Sequence, residues 1–168
     1  STLPSPVVAT SYWGYANSIA MILVALTAPI LGALADHTGK KKMLLSRFAL
    51  VGIIATALLV FVGNGDWLMA IILYIIAHMG FSGSTIFSDS LLPHVATQDD
   101  VDQVSSRGFA MGYIGGGLLL ALNLIWIMKP EWFGIPNAEW ASRLSFLSVA
   151  IWWAVFSIPL LVRVPEPP

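Results

Sequence analysis

Five stretches of mostly apolar residues dominate this chain: Tyr12–Ala35, Met43–Gly63, Trp67–Leu92, Ser105–Met128 and Trp140–Val162. Each is close to the ~20 residues that an α-helix needs to cross the ~30 Å hydrocarbon core of a bilayer. Of the 168 residues, 57% are hydrophobic and only 10% are charged, and no charged side chain precedes Asp36. A soluble domain carries about 25% charged residues, so the pattern reads as an all-α integral membrane protein with five transmembrane helices. Residues 1–168 form one membrane domain on this reading. The first run is no cleavable signal, because it lacks a basic leader and is too long for a signal core.

Charge sets an orientation. Lys40, Lys41, Lys42, Arg47, Arg107 and Arg163 fall at one set of span ends, and only Lys129 and Arg143 at the other. The positive-inside bias places the Lys40–Lys42 loop and the C-terminus in the cytoplasm and the N-terminus outside. Trp13, Trp67, Trp126, Trp132 and Trp140 lie at or near span ends on the outer side, where amphipathic rings favour the headgroup level. Gly63–Gly65 makes a tight outer turn, and Lys129–Glu139 reads as an irregular outer loop. Pro93 is expected to end the third span, with a polar surface helix or loop from there to Ser105.

The spans differ in polarity. Met43–Gly63 holds little beyond Arg47 and Thr56, the last run holds only serines as polar groups in its interior, and both read as lipid-facing. In the third run, Tyr74, His78, Ser82, Thr85 and Asp89 are spaced 4, 4, 3 and 4 residues apart. That spacing gathers them on one helical face. Polar and ionisable groups inside a bilayer face a bundle interior or an aqueous cavity, so these five, with Asn123, are candidate cavity-lining residues. Interhelical hydrogen bonding is the plainer reading of the same face. His78 near the span centre suits solute binding, proton relay or simple packing. Asp89 is expected to pair with Arg107 or with the Lys40–Lys42 loop.

Gly108, Gly112 and Gly116 recur every four residues in the fourth run, a small-residue face that lets helices approach closely. Ala25, Ala28 and Gly32 form a similar face in the first run. The chain has no cysteine, zinc-ligand spacing, phosphate-cradling glycine loop or nucleophile elbow. Nothing therefore points to an enzyme, a metal or a cofactor. The lysine run is too short for nucleic acid and suits, at most, an anionic lipid surface.

Those lysines sit in "GALADHTGKKK", where Gly32, Asp36, Gly39, Lys40 and Lys41 match the G-x-x-x-D-x-x-G-[RK]-[RK] signature of major facilitator superfamily transporters. That loop lies between the second and third helices of such proteins. The resemblance implies a conformational latch, in which the aspartate meets a helix end of the opposite transporter half and the basic residues join an inner ion-pair network. "APILGALADHTGKKK", "SSRGFAMGYIGGGLLL" and "SRLSFLSVAIWWAVFSIPLL" resemble the vacuole-effluxer-like, autophagy-related branch. That branch includes fungal vacuolar amino-acid effluxers and bacterial permeases.

The resemblance implies that the five runs are helices two to six of an N-terminal six-helix bundle. Helix one and the C-terminal half would then be absent. The Tyr74–Asp89 stripe would lie on the cavity-lining fourth helix of that bundle, and the two apolar spans would face lipid. The arginine signature of proton-coupled members is not visible on it. Alternating access needs two halves moving about a midplane site. The expected function is thus a segment of a small-solute secondary transporter, with amino acids as one substrate class. Its expected partners are the bilayer, the remaining transporter half and a small-molecule substrate. The alternative is a transport-inactive scaffold or accessory subunit of a larger membrane complex. A start at "STLPSPVV" without Met favours a fragment, and the expected location is a bacterial inner membrane.

Overall fold

The computed structural model describes residues 5–166, which form α1 (Pro6–His37), α2 (Lys41–Leu58), α3 (Trp67–Val95), α4 (Val101–Met128) and α5 (Ala138–Arg163). Two short 3-10 turns, Leu59–Phe61 and Pro130–Phe133, close α2 and precede α5. All five helices are long and apolar enough to cross a membrane. At ~1.5 Å per residue, the 32 residues of α1 are longer than the hydrocarbon thickness requires.

Local chemistry marks the starts. The Ser5 hydroxyl accepts from the Val8 amide at 3.3 Å, and Pro6 occupies the first turn, where its missing N–H costs nothing. Asn137 caps α5 through its Oδ1, which accepts from the Trp140 amide at 3.0 Å. The turns leading into α3 and α5 contain Gly65 and Gly134 at φ of 99° and 68°, a region that penalises any side chain.

Several boundaries differ from the sequence expectation. Helix α3 runs through Pro93 to Val95, and α4 begins at Val101, so only five residues, 96–100, connect them. Proline costs a helix one donor and crowds the carbonyl four residues earlier, here that of Asp89, a disturbance that the last turn tolerates. The acidic stretch Asp99–Asp102 is drawn into the α4 start, where the Thr97 amide donates to Asp100 Oδ1 at 2.6 Å.

Helix α3 is the hub, packed against α2 and α1, while α2 also packs on α5 and α5 on α4. The expectation that α2 merely faces lipid is corrected here, since α2 is the most buried of the five. Its Leu45, Ala49, Gly52, Ala55 and Thr56 are covered, and Leu50, Val51 and Ile54 on the other face stay exposed. Helix α4 is barely embedded, and Leu119 and Asn123 are its buried residues.

Glycine decides how close α2 and α3 come. A Cβ on Gly80 would stand 2.6 Å from the Gly52 backbone, and one on Gly83 would strike the Phe48 ring. A Cβ on Gly52 would enter the indole of Trp153. Close approach multiplies van der Waals contact, which drives helix association where lipid is as apolar as leucine.

Candidate functional site

The polar face of α3 divides into two regions. Toward the outer end, Tyr74 donates its hydroxyl proton to Asn17 Oδ1 of α1 at 2.8 Å. Trp13 packs against Tyr74 with centroids 4.4 Å apart and the rings tilted by 48°, and the His78 ring lies 5.7 Å from that of Tyr74. All of Trp13, Asn17, Tyr74 and His78 thus belong to one aromatic and polar cluster that seats α1 on α3. Ser82 is half-buried below it, and Thr85 returns its hydroxyl to the Phe81 carbonyl at 3.0 Å.

Toward the other end, the helices splay. A cleft of about 640 Å³ opens between α3, α4 and α5, and Asp89 lines it. Ser88, Phe81 and Leu92 contribute from α3, and Gly108, Phe109, Gly112 and Tyr113 from α4. A smaller hydroxyl-lined crevice with Ser84, Thr85 and Ser157 adjoins it through the shared Phe81, Ser88 and Leu160.

The expected pairing of Asp89 does not form. The ion pair among the described residues is Arg143–Glu139, at 2.6 Å on the opposite end of the bundle. The reason is geometric. Asp89 points into the cleft, whereas Lys41 of α2 reaches the far side of the α3 terminus. There its ammonium donates to the Ser90 carbonyl at 3.2 Å and lies 3.2 Å from His94 Nε2. A cation near the C-terminal end of a helix also meets the negative end of its dipole.

Of the other predicted residues, Asn123 is buried between α4 and α5, where its Oδ1 accepts from the Ser148 hydroxyl at 3.0 Å. Trp126 Nε1 donates to Ser145 Oγ at 2.6 Å one turn further on. Gly108, Gly112 and Gly116 meet no atom within 4 Å of a would-be Cβ, and neither does Gly32. Asp36 is exposed beside His37 at the end of α1, and Thr38 Oγ1 accepts the Lys40 amide at 3.2 Å in the turn. Lys42 gives its backbone N–H to Glu166 Oε1 at 2.8 Å, tying the loop to the end of α5.

Sequence reading missed the glycines that close the α2–α3 contact, and it missed Ser88 and the Trp13 packing. Gly80-x-x-Gly83 facing Ala49-x-x-Gly52 was a usable signal, since both place small residues on one helical face. The Trp13–Tyr74 contact spans two helices and leaves no periodic trace.

Comparison with known proteins adds a second line of observation. The family described as "Vacuole effluxer Atg22 like" matches residues 2–102 and 94–168. A Bacillus subtilis (strain 168) protein named as an uncharacterized MFS-type transporter, YxiO, is 35% identical over 158 residues, covering 94% of this chain and 37% of its own length. Autophagy-related protein 22 of Pyricularia oryzae is 24% identical over 216 residues, covering 94% of this chain and 31% of its own. The chain thus spans about a third of the length of these curated relatives. No solved structure matches it.

Proposed function

This chain belongs to the Atg22-like vacuole effluxer family of MFS-type transporters, and from that premise we propose that its five helices form part of a secondary transporter for a small solute. In this reading α1 to α5 stand for helices two to six of an N-terminal six-helix bundle, and the rest of the transporter completes the pathway. Solute would move by alternating access, with the two halves rocking about a site near the bilayer midplane. Amino acids are the first class to test.

The observation that carries this reading is the position of the α3 polar face. Its Asp89 opens onto a cleft of about 640 Å³, within the size range of small-molecule sites, rather than onto a packed interface. His78 and Tyr74 sit above it on the same helical face, against Trp13 and Asn17. Polar groups retained within a membrane helix are expensive, which favours a role in solute passage over one in packing alone.

The loop from Gly32 to Lys41 is the proposed latch. Asp36 is exposed and free to meet a helix end of another transporter half, while Lys41 already holds the end of α3. The lysine and arginine asymmetry supports a cytoplasmic Lys40–Lys42 loop.

The decisive experiment is uptake of labelled amino acids into proteoliposomes holding the protein purified from its own membrane. Substrate-specific, saturable uptake that Asp36→Ala abolishes, without loss of folded yield, supports the transporter. Wild-type uptake by Asp36→Ala removes the latch. A chain of 168 residues held stoichiometrically in a larger assembly with no uptake replaces the transporter by an accessory subunit.

A further inference from the structure

We propose that the cleft between α3, α4 and α5 is a binding site for an organic cation with an apolar, preferably aromatic, body. The inference deepens the transporter reading by naming a substrate class, and it rests on that reading only for the movement of the ligand, not for its binding.

The cleft has one charged lining residue, Asp89, and no lysine, arginine or histidine contributes to its walls. Among the described residues the Asp89 carboxylate has no ion pair and no hydrogen bond. The remaining polar lining is neutral, from the hydroxyls of Ser88, Ser105 and Tyr113. The other walls are aliphatic or aromatic, with Phe81 from α3 and Phe109 and Tyr113 from α4. An unpaired carboxylate facing apolar walls attracts a counter-charge more strongly than the same group in open water, because the local dielectric is lower.

The type of cation follows from the walls. A small, strongly hydrated ion would have to shed its water against leucine and phenylalanine, with only four polar side chains, three of them neutral hydroxyls, to replace it. An organic ammonium or phosphonium spreads its charge, carries little hydration and brings its own apolar surface to the cleft. Aromatic faces add the attraction of their quadrupoles for a cation at close range. An anion is excluded by charge, since only the carboxylate faces it. Gly108 and Gly112 supply the width, because neither carries a side chain and a Cβ on either would meet open space.

The test uses tetraphenylphosphonium, a permanently charged aromatic cation, and tetraphenylborate, its anionic counterpart of the same shape. Binding of each is measured by equilibrium scintillation on the protein purified from its own membrane into nanodiscs, with empty nanodiscs subtracted. Saturable binding of the cation and not of the anion is expected. Asp89 is exposed at the cleft, so Asp89→Asn should weaken the cation by about threefold to fivefold, the upper range for an exposed ion pair, and Asp89→Glu should retain it. Gly112→Leu, whose Cβ would meet nothing within 4 Å at the cleft wall, should abolish binding while the protein elutes as the folded species.

Equal affinity for the two probes, or an Asp89→Asn variant that binds as well as wild type, overturns the site. So does a Ser88→Cys variant that a membrane-permeant thiol reagent cannot reach, since the cleft would then be filled by another part of the protein or a partner helix. The two readings fail separately. Cation binding without any solute uptake keeps the site and removes the transporter. Amino-acid uptake that is indifferent to Asp89→Asn and to tetraphenylphosphonium keeps the transporter and removes the site.

Discussion

Gly80 has no space for even one methyl group. Its neighbour across the helix pair is the Gly52 backbone, which cannot rotate away as a flexible side chain would. Gly80→Leu should therefore force α2 and α3 apart, with a cost at or above the ~1–3 kcal/mol typical of overpacking. Thermal unfolding in detergent, followed by size exclusion, should show a marked loss of folded protein. Gly116→Ala, by contrast, meets nothing within 4 Å and should stay within about 0.5 kcal/mol of wild type. The two glycines look alike in sequence, and even the four-residue recurrence favours Gly116 as the packing position. At the same scale, His78→Ala should change solute affinity if α3 lines the pathway, as measured by competition in the uptake assay. Unchanged affinity would make His78 a packing residue of the Trp13–Tyr74 cluster.

Among the helices, α4 is the weakly held one. It has little contact with α3, and its attachment to α5 concentrates at one end, where Asn123 meets Ser148 and Trp126 meets Ser145. Interhelical hydrogen bonds in bilayers average about 0.6 kcal/mol and reach about 1.7, so two of them form a real but modest clamp. A double-mutant cycle of Trp126→Phe with Ser145→Ala should return a coupling energy in that range. Hydrogen exchange in the Trp126→Phe variant should quicken in α4 before α1, α2 or α3. A coupling near zero would mean that packing alone holds α4. The existence of these helices was legible, because sustained apolar runs leave few alternatives, but the Asn137 cap that starts α5 inside the expected irregular outer loop was not read. Nor was continuation of α3 through Pro93, because proline's local penalty is small at the last turn and tertiary contact there outweighs it.

For the molecule as a whole, the lysine and arginine asymmetry gives a topology that can be checked directly. A cysteine at Thr38 should react with a membrane-impermeant thiol reagent only after the membrane is opened, and one at Asn64 should react in intact cells. The reverse result would invert the bundle and remove the cytoplasmic latch. By itself the sequence determined that this chain belongs in a bilayer, that it has five helices long and apolar enough to cross one, which helix carries the polar face and which family it belongs to. Those properties are local or compositional: apolar length, one-dimensional spacing and a short signature between Gly32 and Lys41. Only the tertiary structure decided which small residues close an interface and which are left bare. It also decided that Lys41 reaches the Ser90 carbonyl near the end of α3, while Asp89 stays unpaired among the described residues. The physical reason is that a helical face fixes which side chains travel together but not what stands opposite. Whether Asp89 finds a cation depends on the rotation and splay of α4 and α5, and no spacing within α3 contains that information.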